Sequence, residues 1–271
     1  MPQTILITGA SSGIGKATAR LFADGGWNVV ATMRNPEDAE DLAERANVLV
    51  AALDVTKPGT IAKAVDLALS TYGRIDVLLN NAGYGAYGPL EAFPMERIER
   101  QFATNVIGLL AVTKAVLPHM RAQKSGTIVN ISSIGGQMTF PLGTLYHGTK
   151  FAVEGLSEAL HYELEAVGVK VKIVEPGMIN TDFGGRSFDF AVDESMPEYM
   201  PVVAGMQAAM GTFGAQASEP ELVAEVIRTA VTDGTSQLRY RAGADAEALL
   251  SARKTQDDET FIGGIKAGMG L

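Results

Sequence analysis

Short apolar, β-branched runs alternate along the chain with longer segments whose apolar positions recur every three or four residues. The runs ILIT (5–8), NVVAT (28–32), VLVAAL (48–53), DVLLN (76–80), TIVNIS (127–132), VKVKIVE (169–175) and QLRYR (237–241) predict strands. The segments between them predict helices near 14–25, 37–46, 58–72, 95–121, 147–167 and 219–232, with a short one near 244–253. Parallel neighbours need a crossover of helix length, so the alternation predicts the α/β class, with a doubly wound parallel sheet of about seven strands and helices on both faces. Ligands of such sheets sit beyond the carboxyl ends of the strands, where strand order reverses. Chemistry is therefore expected in the segments that follow strand ends.

Two segments break the rhythm. From Thr181 to Ser218 runs a connection holding Phe183, Phe188, Phe190, Met196, Tyr199, Met200, Met206, Met210 and Phe213. A connection this long inside a compact domain acts as a lid or binding loop, and Met and aromatic side chains adapt to irregular apolar ligands. We expect residues 182–217 to form a mobile lid on a single domain spanning 1–271. The tail FIGGIKAGMGL (261–271) is Gly-rich and aperiodic and is expected to fray or to dock on another subunit. The helices near 95–121 and 147–167 carry Leu109, Leu110, Val112, Leu156 and Leu160 over more of their circumference than one sheet face requires. That excess predicts a pairing surface, and with it a homodimer or homotetramer.

Composition narrows the choices. Twenty-two basic against 31 acidic residues give a net charge of −9 without a basic stretch, which argues against a nucleic-acid partner. There is no cysteine, so disulfides and thiolate chemistry are excluded. His119, His147 and His161 show no metal-ligand spacing, so no metal is expected. The N-terminal MPQTILITGA enters an apolar run by Thr4, leaving no room for a signal peptide, and no apolar segment reaches spanning length without charge or Gly. These features predict a cytoplasmic protein without a membrane partner.

TGASSGIG (8–15) follows the first strand and opens the first helix. Gly9, Gly13 and Gly15 permit a tight turn and a close backbone approach to a pyrophosphate, which would rest on the helix N-terminus. NNAG (80–83) ends the fourth strand, and PGMINT (176–181) the sixth. Asn105 lies inside the apolar helical stretch IERQFATNVIGLLAV, where a poor helix former signals a hydrogen-bonding task. NISS places Ser132 and Ser133 at the end of the fifth strand. In YHGTK, Tyr146 and Lys150 stand four apart on a predicted helix, so phenol and ammonium share one face. A cation within reach lowers an acid's pKa by about 1 to 3 units.

In this order the motifs resemble those of the short-chain dehydrogenase/reductase family, and the resemblance covers almost the whole chain. It implies a Rossmann-type fold, an NADP(H) cofactor and a small apolar carbonyl or alcohol substrate. It assigns Tyr146 as the catalytic acid/base, Lys150 as the ribose ligand that lowers the tyrosine's pKa, Ser133 as the hydrogen-bond partner of the substrate oxygen, and Asn105 as the holder of a water linking Lys150 to solvent. It places the cofactor against Gly9, Ser11, Gly13, Ile14, Gly15, Arg34, Asp54, Val55, Asn81, Ala82, Gly83, Tyr146, Lys150, Pro176, Gly177 and Thr181. Asp54 and Val55 would contact the adenine and Thr181 the carboxamide. The substrate would meet Ser133, Phe140, Tyr146, Met178 and Phe183. Related enzymes also pair the two helices named above across a two-fold axis.

The residues support the same chemistry independently. A hydride arriving at a carbonyl carbon leaves an alkoxide, which needs a donor at the oxygen and a proton source nearby. Strand alternation lets only one of Ser132 and Ser133 face the tyrosine, and the family spacing selects Ser133. After the second strand, Met33 fills the position where a carboxylate would bond the ribose of NAD, and Arg34 follows it, which favours the 2′-phosphate of NADP. Ser12, where many NADP-using relatives carry a second basic residue, moderates that preference. A cofactor-binding regulator without activity, or a lyase or epimerase, would use the same fold.

Overall fold

The inner strands of the sheet are covered on both faces, and the alternation of their side chains decides which core each residue joins. All five residues of β1 (Thr4–Thr8) are buried. Ile5 and Ile7 enter one core with Val29, Val77, Leu79 and Val129, whereas Leu6 enters the other with Val30, Leu78 and Ile128. The two-residue period of a strand imposes that division. The structure, a computed structural model, describes residues 2–181, 187–214 and 217–271.

The further strands are β2 (Asn28–Met33), β3 (Val48–Ala52), β4 (Val77–Asn80), β5 (Gly85–Tyr87), β6 (Gly126–Ile131), β7 (Val169–Pro176), β8 (Phe188–Phe190) and β9 (Arg239–Ala242). Seven form one parallel sheet in the order β3-β2-β1-β4-β6-β7-β9. The helices are α1 (Gly13–Asp24), α2 (Pro58–Tyr72), α3 (Met95–Phe102), α4 (Leu109–Gln123), α5 (Thr144–Glu165), α6 (Met200–Gly214), α7 (Pro220–Thr232), α8 (Ala244–Thr255) and α9 (Asp258–Gly268). On one face α1 and α7 bury Ala19, Phe22, Val223 and Ile227. On the other, α2, α4 and α5 bury Ile61, Val65, Val112, Val116, Met120 and Leu164. Strand order reverses between β1 and β4, so the crevice opens beyond Thr8 and Asn80.

The expected sheet is thus present, and the differences lie at its margins. The segment expected as a helix over 37–46 is a 3₁₀ turn over Pro36–Glu44, where Ala39 and Leu42 bury deeply. Two apolar positions three apart align along a three-residue period better than along 3.6. The helix over 95–121 is interrupted by a π-turn at Ala103–Gly108, centred on Asn105. By length and composition Met95–Gln123 could cross a membrane, but its Val112, Val116 and Met120 are fully buried against the sheet. Residues 261–271 neither fray nor lie without structure. Asp257 caps α9 through the amide of Thr260 at 2.8 Å, Asp258 and Glu259 occupy its first turn, and Phe261 and Met269 dock on the same chain. Favourable charge at both helix ends outweighs the glycines.

Of the residues expected to form a pairing surface, Leu109 and Val112 are buried, whereas Leu110, Leu156 and Leu160 are half-buried. The large apolar side chains most exposed along the same two segments are Met95, Phe102, Ile107, Phe151 and Tyr162.

A buried polar chain ties the sheet to its helices. Asn80 Nδ2 donates to Thr113 Oγ1 and to Asn130 Oδ1, both at 2.9 Å, and Asn130 Nδ2 donates to Ser157 Oγ at 2.8 Å. Asn80 and Asn130 are register partners of β4 and β6, and Asn130 is fully buried. Asn130→Ala leaves a donor on Asn80 and an acceptor on Ser157 unpaired, so it should destabilise the chain by about 2–4 kcal/mol. The midpoint of urea unfolding measures that loss; an unchanged midpoint would show that the network contributes nothing.

Candidate active site

The crevice begins with a turn that side chains cannot enter. Gly9 adopts a positive φ of 70°, open mainly to glycine. A Cβ on Gly15 would collide with the Gly9 carbonyl and come within 2.6 Å of Asn81 Nδ2. Asn81 Nδ2 donates to the carbonyls of Thr8 (2.9 Å) and Gly9 (3.0 Å), while the amides of Asn81 and Ala82 both donate to Thr8 Oγ1 at 3.0 Å. The loops after β1 and β4 are thereby locked together. Ser12 precedes α1 without a side-chain cap, and the first turn of α1 carries no acidic residue. Ser11, Gly13 and Ile14 complete the turn, with Thr181 Cγ2 3.0 Å from where a Gly13 Cβ would stand. Uncapped amides at a close-packed glycine turn fit the pyrophosphate of a dinucleotide.

Farther out, Met33 is buried and Arg34 is exposed directly after β2. Asp54 Oδ1 accepts from Thr56 N (3.0 Å) and Oγ1 (2.7 Å), and Lys57 lies 3.4 Å from the carboxylate. Burial raises its pKa, but these partners outweigh that and hold it below the usual carboxylate range. Val55 is buried and packs where a side chain on Gly108 would stand. Gly83 lies against Asn105, 3.1 Å from its Oδ1 to a would-be Cβ. At the far strand end Gly177 N donates to Ala242 O at 2.9 Å, and Asp245 Oδ2 accepts from Met178 N at 2.7 Å. Asp245 therefore fixes the loop after Pro176, a role that its place in a surface-like helix start did not signal.

Ser133, Tyr146 and Lys150 meet where β6 ends against α5. All three are buried, and the Ser133 hydroxyl stands near enough to the Tyr146 phenol to pull its pKa down. Lys150 Nζ donates to Ile131 O at 2.8 Å and stands 5.7 Å from the centroid of the Tyr146 ring. Burial pushes the Tyr146 phenol up to about 12 against the counter-pull of Ser133. It drives the Lys150 ammonium down to about 8, partly offset by the Glu154 carboxylate. The lowered phenol pKa expected from the sequence is therefore not a property of this chain by itself, because desolvation exceeds the effect of an ammonium turned toward a backbone carbonyl. Asn105 is buried in the π-turn, with Nδ2 donating to Tyr84 O (2.9 Å) and Thr149 Oγ1 (3.1 Å) and Oδ1 accepting from Tyr84 N (3.1 Å). Thr149 in turn donates to Tyr146 O at 2.7 Å. The Asn105 side chain thus braces the loop after Gly83 against the catalytic helix.

The wall opposite Tyr146 is apolar. Tyr87, Phe140, Phe188, Met206 and Met269 cluster with that tyrosine, Tyr87 lying tilted against Tyr146 (centroids 5.5 Å) and stacked on Phe188 (5.4 Å). Met178 is not a member of this cluster, and Phe183 lies outside the described residues. Within the expected lid, β8 pairs with β5, Asp189 is clamped by Arg97 and Arg100, and α6 brings Met206 inward. Tyr87 and Met269 were not anticipated. Tyr87 had only its nearness to NNAG as a signal, and Met269 sits in a Gly-rich segment that offers none.

Comparison with known proteins agrees with this geometry. A family model described as short chain dehydrogenase matches residues 3–190. A short-chain dehydrogenase of Streptomyces avermitilis is similar in structure, with a TM-score of 0.83 and 35% identity, covering 97% of this chain and 97% of that one. ElxO, in a structure with NADP bound, has a TM-score of 0.75 and 26% identity, covering 92% of this chain and 100% of its own. A 3-ketodihydrosphingosine reductase of Bacteroides thetaiotaomicron is 46% identical over 182 residues, 67% of this chain and 66% of that protein.

The close approach at Gly15 gives a direct test of the glycine turn. Gly15→Ala should weaken binding of a nicotinamide dinucleotide by about tenfold or more, equivalent to about 1.4 kcal/mol or above. Fluorescence titration of the reduced cofactor measures it, and unchanged affinity would mean that this turn does not hold the pyrophosphate.

Proposed function

The chain belongs to the short-chain dehydrogenase/reductase family, and on that premise we propose that it is an NADP(H)-dependent carbonyl reductase acting on an apolar ketone or aldehyde. The observation that carries this reading is the buried pair of Ser133 and Tyr146 beside a wall of Tyr87, Phe140, Phe188, Met206 and Met269. The name of the Bacteroides relative, a keto-group reductase, supports the same substrate class.

NADPH, when bound, supplies the hydride, since no side chain carries one. Gly9, Ser11, Gly13, Ile14 and Gly15 offer the backbone turn for its pyrophosphate, and Asn81, Ala82, Gly83, Pro176, Gly177 and Thr181 border the crevice at its reactive end. Ser133 holds the substrate oxygen, and Tyr146 gives its phenolic proton to that oxygen as negative charge develops. Lys150 stabilises the phenolate left behind and returns the proton. With the phenol at about 12 and the ammonium at about 8, both groups hold their protons at neutral pH, which favours reduction over oxidation. Arg34, beside the non-acidic Met33, favours NADPH over NADH, and the NADP-bound ElxO structure supports that choice. The exposed Ile107, Phe151 and Tyr162 support assembly into a homodimer or homotetramer.

NADPH oxidation over a panel of ketones tests the reading, because neither a cofactor-binding regulator nor a lyase or epimerase consumes NADPH in step with a ketone. Tyr146→Phe should lower kcat by about 100-fold or more while NADPH still binds; near-normal kcat would remove the phenol from proton transfer. The reduction rate should fall as pH rises through about 8, where Lys150 loses its proton. A flat profile up to pH 10, the value near which an unperturbed lysine titrates, would exclude Lys150 as the proton source.

Losing Arg34 to Ala should weaken NADPH binding by about 10- to 100-fold and leave NADH nearly unaffected. Equal losses for the two cofactors would show that this guanidinium does not contact the phosphate. Light scattering at micromolar concentration should give a dimer or tetramer mass, and a monomer mass would refute the pairing.

A further inference from the structure

His147 follows the catalytic tyrosine in sequence, yet the proton transfer described above does not use it. Adjacent residues on a helix diverge by about 100°, and its ring, edge-on to that of Tyr146 with centroids 5.6 Å apart, reaches into the 133–143 segment. It is buried. The Nδ1 atom lies 3.0 Å from the Gly135 carbonyl, and Nε2 accepts from the amide of Phe140 at 2.9 Å. A carbonyl has no proton to give and an amide no lone pair to offer, so these two partners fix a neutral ring with its proton on Nδ1. Burial agrees with that assignment, holding the imidazole pKa down to about 4. Two glycines make room for the ring: a Cβ on Gly135 would come 2.6 Å from Nδ1, and one on Gly143 would lie 2.5 Å from Nε2.

Both ends of the ring lead to the reacting centre. Gly135, held at its carbonyl by the imidazole, donates its own amide to Ser133 Oγ at 3.0 Å. Ser133 is buried with the Tyr146 phenol and pulls its pKa down. The contacts therefore run from His147 through Gly135 to Ser133, back toward the neighbouring residue of α5. At the other end, the backbone amide held by Nε2 belongs to Phe140, whose side chain stands in the apolar wall.

We propose that His147 is a positioning residue, a two-ended brace whose Nδ1–H sets the turn that aims Ser133 and whose Nε2 sets Phe140 against the substrate. The proposal deepens the reductase reading and rests on it. Its two ends are separable by amide isosteres. In His147→Asn the side-chain NH₂ replaces the Nδ1–H donor toward Gly135 and nothing replaces Nε2. In His147→Gln the longer side chain places its oxygen at the acceptor position toward Phe140 and nothing holds Gly135.

Steady-state kinetics with NADPH and the best ketone of the panel should split the two functions. The Asn variant should raise KM for the ketone by about three- to tenfold with kcat little changed, whereas the Gln variant should lower kcat by a similar factor with KM little changed, the factor expected for one hydrogen bond. NADPH affinity should stay at the wild-type value in both. Equal losses of kcat and KM in the two variants, or wild-type kinetics in either, would overturn the brace. Nitrogen-15 spectra of the cofactor-free wild-type chain provide a readout independent of turnover, and they should show the Nδ1–H tautomer from pH 8 to 5. A ring that titrates near 6.5, the value for an unperturbed imidazole, would overturn the proposal even where ketone reduction is observed. A fixed Nδ1–H tautomer in a chain that oxidises NADPH with no ketone would preserve the brace and sink the reductase reading instead.

Discussion

The amide of Asn81 donates to the carbonyls of both Thr8 and Gly9, and the rest of the site is arranged around that pair of hydrogen bonds. At the end of β1 the ladder no longer pairs the backbone, and a buried carbonyl without a partner is costly. Asn81 satisfies two such groups from the neighbouring strand and spans the point where strand order reverses. Gly15 lacks a side chain because this amide and the Gly9 carbonyl occupy the space. The start of α1 is consequently drawn close to the sheet, and its free amides face the crevice. A ligand phosphate placed there would meet donors whose positions are already fixed.

Burial is the second organising constraint, and it acts on Tyr146 and Lys150 in opposite senses. In water a phenol and an ammonium titrate close together, at about 10 and 10.4. Inside the protein each shifts toward its neutral form, the phenol to about 12 and the ammonium to about 8. Their order of acidity inverts. In the proposed reduction, a proton passing from Lys150 to a Tyr146 phenolate would therefore run downhill, which two exposed side chains four residues apart would not achieve.

Much of this was legible in the sequence, because strands covered on both faces must read as short apolar runs and crossovers must read as amphipathic ones. The glycine turn, NNAG and the Tyr146–Lys150 spacing were legible for a related reason: each is local, with its meaning set by a few consecutive residues and the strand end beside them. What escaped depends on contacts distant along the chain. Asp245 clamps Gly177 and Met178 from another helix, Arg97 and Arg100 hold Asp189 from across the molecule, and Tyr87 finds Phe188 only because β5 and β8 pair. The raised pKa of the phenol belongs with them, because its cause is burial by segments distant along the chain. The ammonium was close in sequence, but its hydrogen bond to Ile131 could be known only from the fold.

The placement of α9 carries a consequence for how the chain assembles itself. Synthesis delivers the N-terminal segments of a chain first. The glycine turn and the loop after β4, which together make the dinucleotide crevice, belong to the earliest part to be made. The substrate wall draws on β5, Phe140, β8, α6 and finally Met269, segments scattered across the remainder of the chain. Contacts between such distant segments form late, since long loops must close before they are rewarded. The chain being made therefore carries the glycine turn and the loop after β4 long before the apolar wall beside Tyr146 gains its last side chain, Met269.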